Sequence, residues 1–286
     1  MINVQVFCFL ASYVVALGSE LVRLRGRSAA ARLVALGFAA AGLVAQTMYL
    51  WTRGRSAHVP PLLSSPHDWI LVLAWLAVLF YVFLSLWDRE LSLGPFVLPV
   101  VLAMIGVTYF MSPTLQPREL LDARRGWGML HAALLVLGMA AAGGAFVSGM
   151  MYLVQHRRLK QKHAGHAGLR IPSLERLARA NRWAVLAAFP LLTLGFFSGL
   201  GLQWFVPGQA AGPEVRWTDP LVVTSAAMWI LMASLVFWLL VTARPAGRQV
   251  AWLTIWLTGF LFLTVSGLLI GAGTFHTHAA SVEVPA

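Results

Sequence analysis

The chain has 286 residues, of which 59% are hydrophobic and only 11% charged, with a formal net charge of +11 and a mean hydropathy of +0.76. A soluble domain averages about 45–50% apolar and about 25% charged residues, so the composition excludes a soluble globular protein and defines a polytopic membrane protein. The basic excess does not call for nucleic acid, since basic residues set orientation and meet anionic lipid in such proteins. Cys8, the only cysteine, excludes an intrachain disulfide, a CxxC attachment motif or a Cys-rich metal site.

A hydrocarbon core of ~30 Å takes ~20 apolar residues per helix. On that ruler the sequence predicts an all-α bundle of about eight transmembrane helices, at 3–19, 31–51, 69–87, 94–112, 127–154, 183–205, 220–243 and 250–273. No repeat or low-complexity linker divides it, so residues 1–286 read as a single transmembrane domain. The first segment turns apolar almost at once and has no small-residue cleavage site, which predicts a retained helix rather than a signal peptide.

Lys and Arg are strongly biased between the two sets of loops. One set holds Arg23, Arg25, Arg27, Arg32, Arg89, the basic stretch from Arg157 to Arg182, Arg244 and Arg248; the other holds only Arg53, Arg55, Arg118, Arg124, Arg125 and Arg216. The positive-inside rule places the first set in the cytoplasm and both termini outside. The long inner loop, 155–182, carries PSLERLARANR, in which Ser173 is a helix cap; a short surface helix against lipid headgroups is expected there.

The fifth span reads GWGMLHAALLVLGMAAAGGAFVSGMMYLVQHRRLKQK. Trp127 anchors one end and Arg/Lys the other. His131 lies one helical turn, ~6 Å, inside the tryptophan. An ionisable ring there is either a functional group or an interfacial histidine bonded to a neighbouring helix. Gly138, Ala142 and Gly149 form a small-residue stripe suited to close helix packing.

After the sixth span, GLGLQWFVPGQAAGPEVRWTDPLVV gathers Trp204, Phe205, Arg216, Trp217 and Asp219. Aromatic faces beside a cation suit a large planar ligand bearing carboxylates; an aromatic interfacial belt is the alternative. Asp219–Pro220 also reads as the N-cap and first residue of the seventh span. The chain closes with LLIGAGTFHTHAASVEVPA, where His276 and His278 fall just beyond the last span. Four crossings, spans five to eight, separate the start of the fifth span from the closing histidines, so His131 and they share one face. They read either as solvated tail or, paired with His131, as ligands for a metal or haem iron. His58 and His67 are spare candidates on that face, whereas His156, His163 and His166 sit in the basic loop, where solvation or lipid contact is expected. No acid–base pair, nucleophile or nucleotide loop stands out.

Trp127…His131 before a Gly-rich span, then IPSLERLARANR, then AFPLLTLGFFSGL, with SPHDWILVLAWLAVLFYVF and LGPFVLPVV earlier and GAGTFHTHA at the end, resembles the cytochrome c assembly (CcsA/CcmC, haem-handling) family. The similarity runs over roughly residues 65 to 278, and the HemX-like or YpjD-like branch is the nearest in character. The resemblance implies non-covalent, b-type haem held at the outer face by two external histidines under a tryptophan-rich segment. His131 matches the first histidine and His276 the second, with His278 as the alternative. Trp217, Asp219 and Pro220 of RWTDPLVV match the tryptophan-rich core. Arg216 stands where that family has a tryptophan, and Leu221-Val222 replace its Lys-Glu. These departures argue against haem–apocytochrome ligation by this chain alone.

The leading expectation is therefore a multi-pass protein of the bacterial inner membrane. It binds, delivers or senses haem through His131 and His276, with Trp217, Asp219, Trp204, Trp127 and Arg216 around them. Its partners are membrane lipid and other proteins of cytochrome c maturation or haem synthesis, and it is not an enzyme on its own. The alternatives are a transporter of another amphipathic solute, to which Pro99 and Pro190 as helix breaks would lend support, and a haem-independent regulator holding a soluble partner on 155–182.

Overall fold

The computed structural model describes residues 5–26, 28–58, 60–87, 92–111, 122–160, 171–204, 220–242 and 246–280. Among them the chain forms helices α1 (Val6–Gly26), α2 (Ala29–Ala57), α3 (Pro61–Ser64), α4 (Pro66–Trp87), α5 (Gly94–Thr108), α6 (Asp122–Lys160), α7 (Leu174–Trp204), α8 (Pro220–Val241) and α9 (Gly247–Ala280). No strand occurs among the described residues. Seven helices are long and apolar enough to cross a membrane, so the protein is an all-α, multi-pass membrane bundle.

The eighth expected span, α5, has only 15 residues, about 22 Å at 1.5 Å each. It still bridges two levels of the bundle. Leu93 and Phe96 pack in one layer with Tyr81, Met151 and Leu177, while Met104 reaches the layer of Val136 and Met139. α5 is thus a shorter apolar helix beside the seven candidate spans.

Most helices outrun their hydropathy windows because apolarity marks only the lipid-facing part. α6 has 39 residues, ~58 Å long. The expected surface helix at PSLERLARANR is instead the first turns of α7, which is continuous from Leu174 to Trp204. Ser173 does cap it, accepting from the Arg176 backbone N–H at 3.4 Å, but Leu177 and Asn181 are buried against the bundle. Pro99 and Pro190 lie inside α5 and α7 without ending either helix, which removes the helix-break support for a transporter.

Helices α1, α2, α4 and α5 form one group, fastened by buried polar contacts. Mid-span, Tyr13 donates to Gln46 Oε1 at 2.6 Å, and Gln46 Nε2 donates to the Leu71 carbonyl at 2.9 Å. Toward the C-terminal end of α1, buried Glu20 accepts from Tyr81 at 2.8 Å and pairs with Arg23 at 3.2 Å. At the start of α4, the fully buried Asp68 carboxylate pairs with Arg53 at 2.6 Å and with His67 Nδ1 at 3.0 Å. Burying these charges is tolerable because each has a partner of opposite sign or a donor.

Helices α6 to α9 form the second group. The first four helices meet it along α6, where Leu62, Trp69 and Leu73 pack on Val136 and Met139. α6 is central. α7 lies along it on one side and α9 on another, while α8 packs on α7 and α9.

Candidate functional site

The small residues expected to admit a neighbour do so. A Cβ on Gly138 would lie 2.8 Å from the Leu192 side chain of α7, and one on Gly149 would lie 3.3 Å from the Ala251 carbonyl of α9. Ala142 is buried with Ala188 and Met232. On the facing helix, Gly195 and Gly199 play the same part: a Cβ at Gly195 would meet Leu135 at 2.6 Å, and one at Gly199 would meet His131 Cε1 at 2.7 Å. This Gly-x-x-x-Gly pair lets the α6 and α7 backbones approach closely. The imidazole of His131 therefore rests directly on the α7 backbone.

That contact is specific. His131 Nδ1 is 2.8 Å from the Gly195 carbonyl oxygen and 3.0 Å from Ser198 Oγ. A carbonyl can only accept, so the short contact requires the proton on Nδ1 and puts the lone pair of the neutral ring on Nε2. Ser198 Oγ itself donates to Gly195 O at 2.7 Å. One turn earlier, Trp127 Nε1 donates to the Ser198 carbonyl at 2.9 Å. The two α6 side chains of the sequence motif are thus seated on one α7 residue. The interfacial bond to a neighbouring helix is realised, and it orients the ring as metal-ligating histidines are oriented by their outer partners.

His276 and His278 are not in a tail. α9 is helical through Ala280, so both lie within its last turns. Ala251 and Ile255 face Gly149 of α6, and Phe262 faces Gly143. Position 276 continues that stripe at helical spacing, and position 278 falls on the opposite side. The same pairings run antiparallel, so the register carries position 276 to the level of the α6 turn that holds Trp127. Trp204 ends α7; Arg216, Trp217 and Asp219 lie outside the described residues, as do His163 and His166. Pro220 is the first residue of α8, as the Asp-Pro pair predicts.

The spare histidines are occupied otherwise. His58 ends α2 in the left-handed region, with φ of 53°, its N–H bonded to the Arg55 carbonyl. His67 is buried against Asp68 on the α1–α2 side of α4. His156 stacks on Tyr152 near the C-terminal end of α6. No group of three or more His, Cys, Asp or Glu side chains able to hold a metal occurs among the described residues. His131, its Nδ1 held by the Gly195 carbonyl, is the histidine of α6 that a neighbouring helix orients.

Sequence reasoning missed Gly195, Ser198 and Gly199, although small residues four apart on an apolar helix were the available signal. It also missed Trp229, which stacks on Phe196 and Phe189 and donates to Thr193 at 3.0 Å. The Arg53–Asp68 pair could not be anticipated, because two loops separate its members.

A helical membrane bundle with one backbone-oriented histidine at its tryptophan end is the class that fold and site define. The model of the family described as Cytochrome C assembly protein matches residues 63–274; the chain belongs to that family. The matched range takes in Trp127, His131 and Ser198 and stops short of His276. The chain is also similar to the cytochrome c biogenesis protein CcsA of Chlorella vulgaris, at 29% identity over 126 residues, 43% of this chain and 38% of that protein. The match thus spans well under half the length of that relative. No solved structure matches the chain.

Proposed function

We propose that this protein binds haem non-covalently at the outer face of a bacterial inner membrane and hands it on, or reports it, in cytochrome c maturation or haem homeostasis. The observation that carries the reading is His131, one turn inside Trp127, with its Nδ1–H given to the Gly195 carbonyl. That bond leaves the lone pair of the neutral ring on Nε2, the nitrogen that would meet iron. His276, within the last turns of α9, supplies the second imidazole. Trp217 and Trp204 offer stacking surface, Arg216 pairs with a propionate, and Trp127 and Asp219 complete the surround. Orientation is N-out and C-out, from the Lys/Arg bias. The nearest branch in character is HemX-like or YpjD-like. Bound haem supplies the vinyl groups to which apocytochrome thiols add. This chain contributes no thiol at the site, so attachment falls to partner proteins, and the chain alone is not an enzyme.

Full-length protein purified in detergent should show a Soret band. His131→Ala and His276→Ala should each lose most bound haem, about as much as the double variant, because one lost ligand already breaks the pair. Added imidazole should partly restore either, and His278→Ala should stay close to wild type. A wild-type spectrum at full occupancy in His131→Ala would overturn the reading. Reporter fusions after residues 28, 165 and 246 should read cytoplasmic, and those after 60, 120 and 210 extracytoplasmic.

A further inference from the structure

Ser198 bonds to both side chains that α6 brings to the site, and through different atoms. Its hydroxyl oxygen lies 3.0 Å from His131 Nδ1, and its carbonyl takes the Trp127 indole N–H at 2.9 Å. The hydroxyl proton goes to Gly195 O at 2.7 Å, so the oxygen turns a lone pair toward the ring. The Nδ1–H of His131 is therefore shared between two acceptors on one helical turn. Gly199, without a side chain, leaves the imidazole its place above them. A serine bonded to the carbonyl three residues back is common in membrane helices and needs no further role. Here the same oxygen also meets the imidazole, which a purely local bond does not require.

We propose that Ser198 is a positioning residue for the haem ligand: with the Gly195 carbonyl it fixes the Nδ1–H tautomer of His131 and the electron density that Nε2 offers to iron. The inference rests on the reading that His131 ligates haem. Two acceptors on Nδ1–H give the ring more imidazolate character than one, and a stronger donor favours ferric over ferrous iron. Loss of the hydroxyl loosens the ring and weakens the donor together.

The test uses the full chain in detergent micelles. Ser198→Ala should lower haem affinity about tenfold, the lower end of what outer-shell partners contribute, since the Gly195 carbonyl remains. The midpoint potential should rise, by about 59 mV if ferric affinity alone falls tenfold. In the haem-free protein, the ring ¹⁵N shifts of His131 should move toward a mixture of tautomers. Trp127 fluorescence should not change, because the Ser198 carbonyl survives the substitution. Ser198→Thr should restore all three properties. Ser198→Val, of the same shape as threonine without the hydroxyl, should behave like Ser198→Ala, and this pair keeps the test valid if alanine disturbs folding. Equal potentials and equal ring shifts in the threonine and valine variants would overturn the proposal. Haem retained by His131→Ala would instead overturn the ligation on which it rests.

Discussion

Replacing Gly199 by alanine adds one methyl group at the point of the α6–α7 contact where the imidazole rests. That methyl carbon would lie 2.7 Å from His131 Cε1 and 3.3 Å from Nδ1, whereas non-bonded carbons sit at about 3.5–4.0 Å. The ring must retreat by about 1 Å. An outward shift of that size stretches the 2.8 Å bond to Gly195 O beyond about 3.5 Å, where it no longer counts as a hydrogen bond. The substitution should cost about 1–3 kcal/mol of stability through overpacking and lower haem affinity about 10–100-fold through loss of the orienting partner. Gly144→Ala is the control: it sits on α6 with nothing near its added carbon, and should gain about 0.5–1 kcal/mol from helix propensity. Thermal unfolding in detergent and haem titration read both quantities. If Gly199→Ala keeps wild-type haem affinity and wild-type His131 ring shifts, the imidazole is not seated on α7 and the reasoning fails.

Ala142→Leu should impair assembly far more than Ala133→Leu, since Ala142 is buried against α7 and α8 and Ala133 is only half-buried; equal yields of folded protein would place the stripe toward lipid. Asp68→Asn should destabilise the first helix group by about 3–5 kcal/mol, because it leaves the Arg53 charge uncompensated next to a buried site. The paired change Arg53→Met with Asp68→Leu should recover most of that loss, and a double variant as unstable as the single would show that the charges do more than neutralise each other.

The helical membrane bundle and the central place of α6 were legible because lipid imposes a length and a polarity on every crossing. Trp127 and His131 were legible because an indole and an imidazole one turn apart at a span's end are unusual. The surface on which they rest was not. Ser198 and Gly199 sit inside an apolar run where a small residue looks the same whether it faces lipid or an imidazole. Extent was misread for a related reason: apolarity stops at the headgroups but backbone bonding does not, so α7 begins at Leu174 and α9 carries His276 and His278 to Ala280. Asp68 and Arg53 meet across the α2–α4 connection, a contact that no local pattern encodes.

Five polar fastenings of helices α1, α2 and α4 are made among residues that precede Trp127 in the chain. Tyr13 to Gln46, Gln46 to Leu71, Glu20 to Tyr81, Arg32 to the Ser85 carbonyl and Arg53 to Asp68 close before α6 is reached. A chain made from its N-terminus can lock this group in the membrane while the rest is still being synthesised. The helices that carry the histidines then assemble against a finished wall. Early pairing can then be complete before Trp127 and His131 leave the ribosome, and the second group of helices inherits a surface it does not have to build.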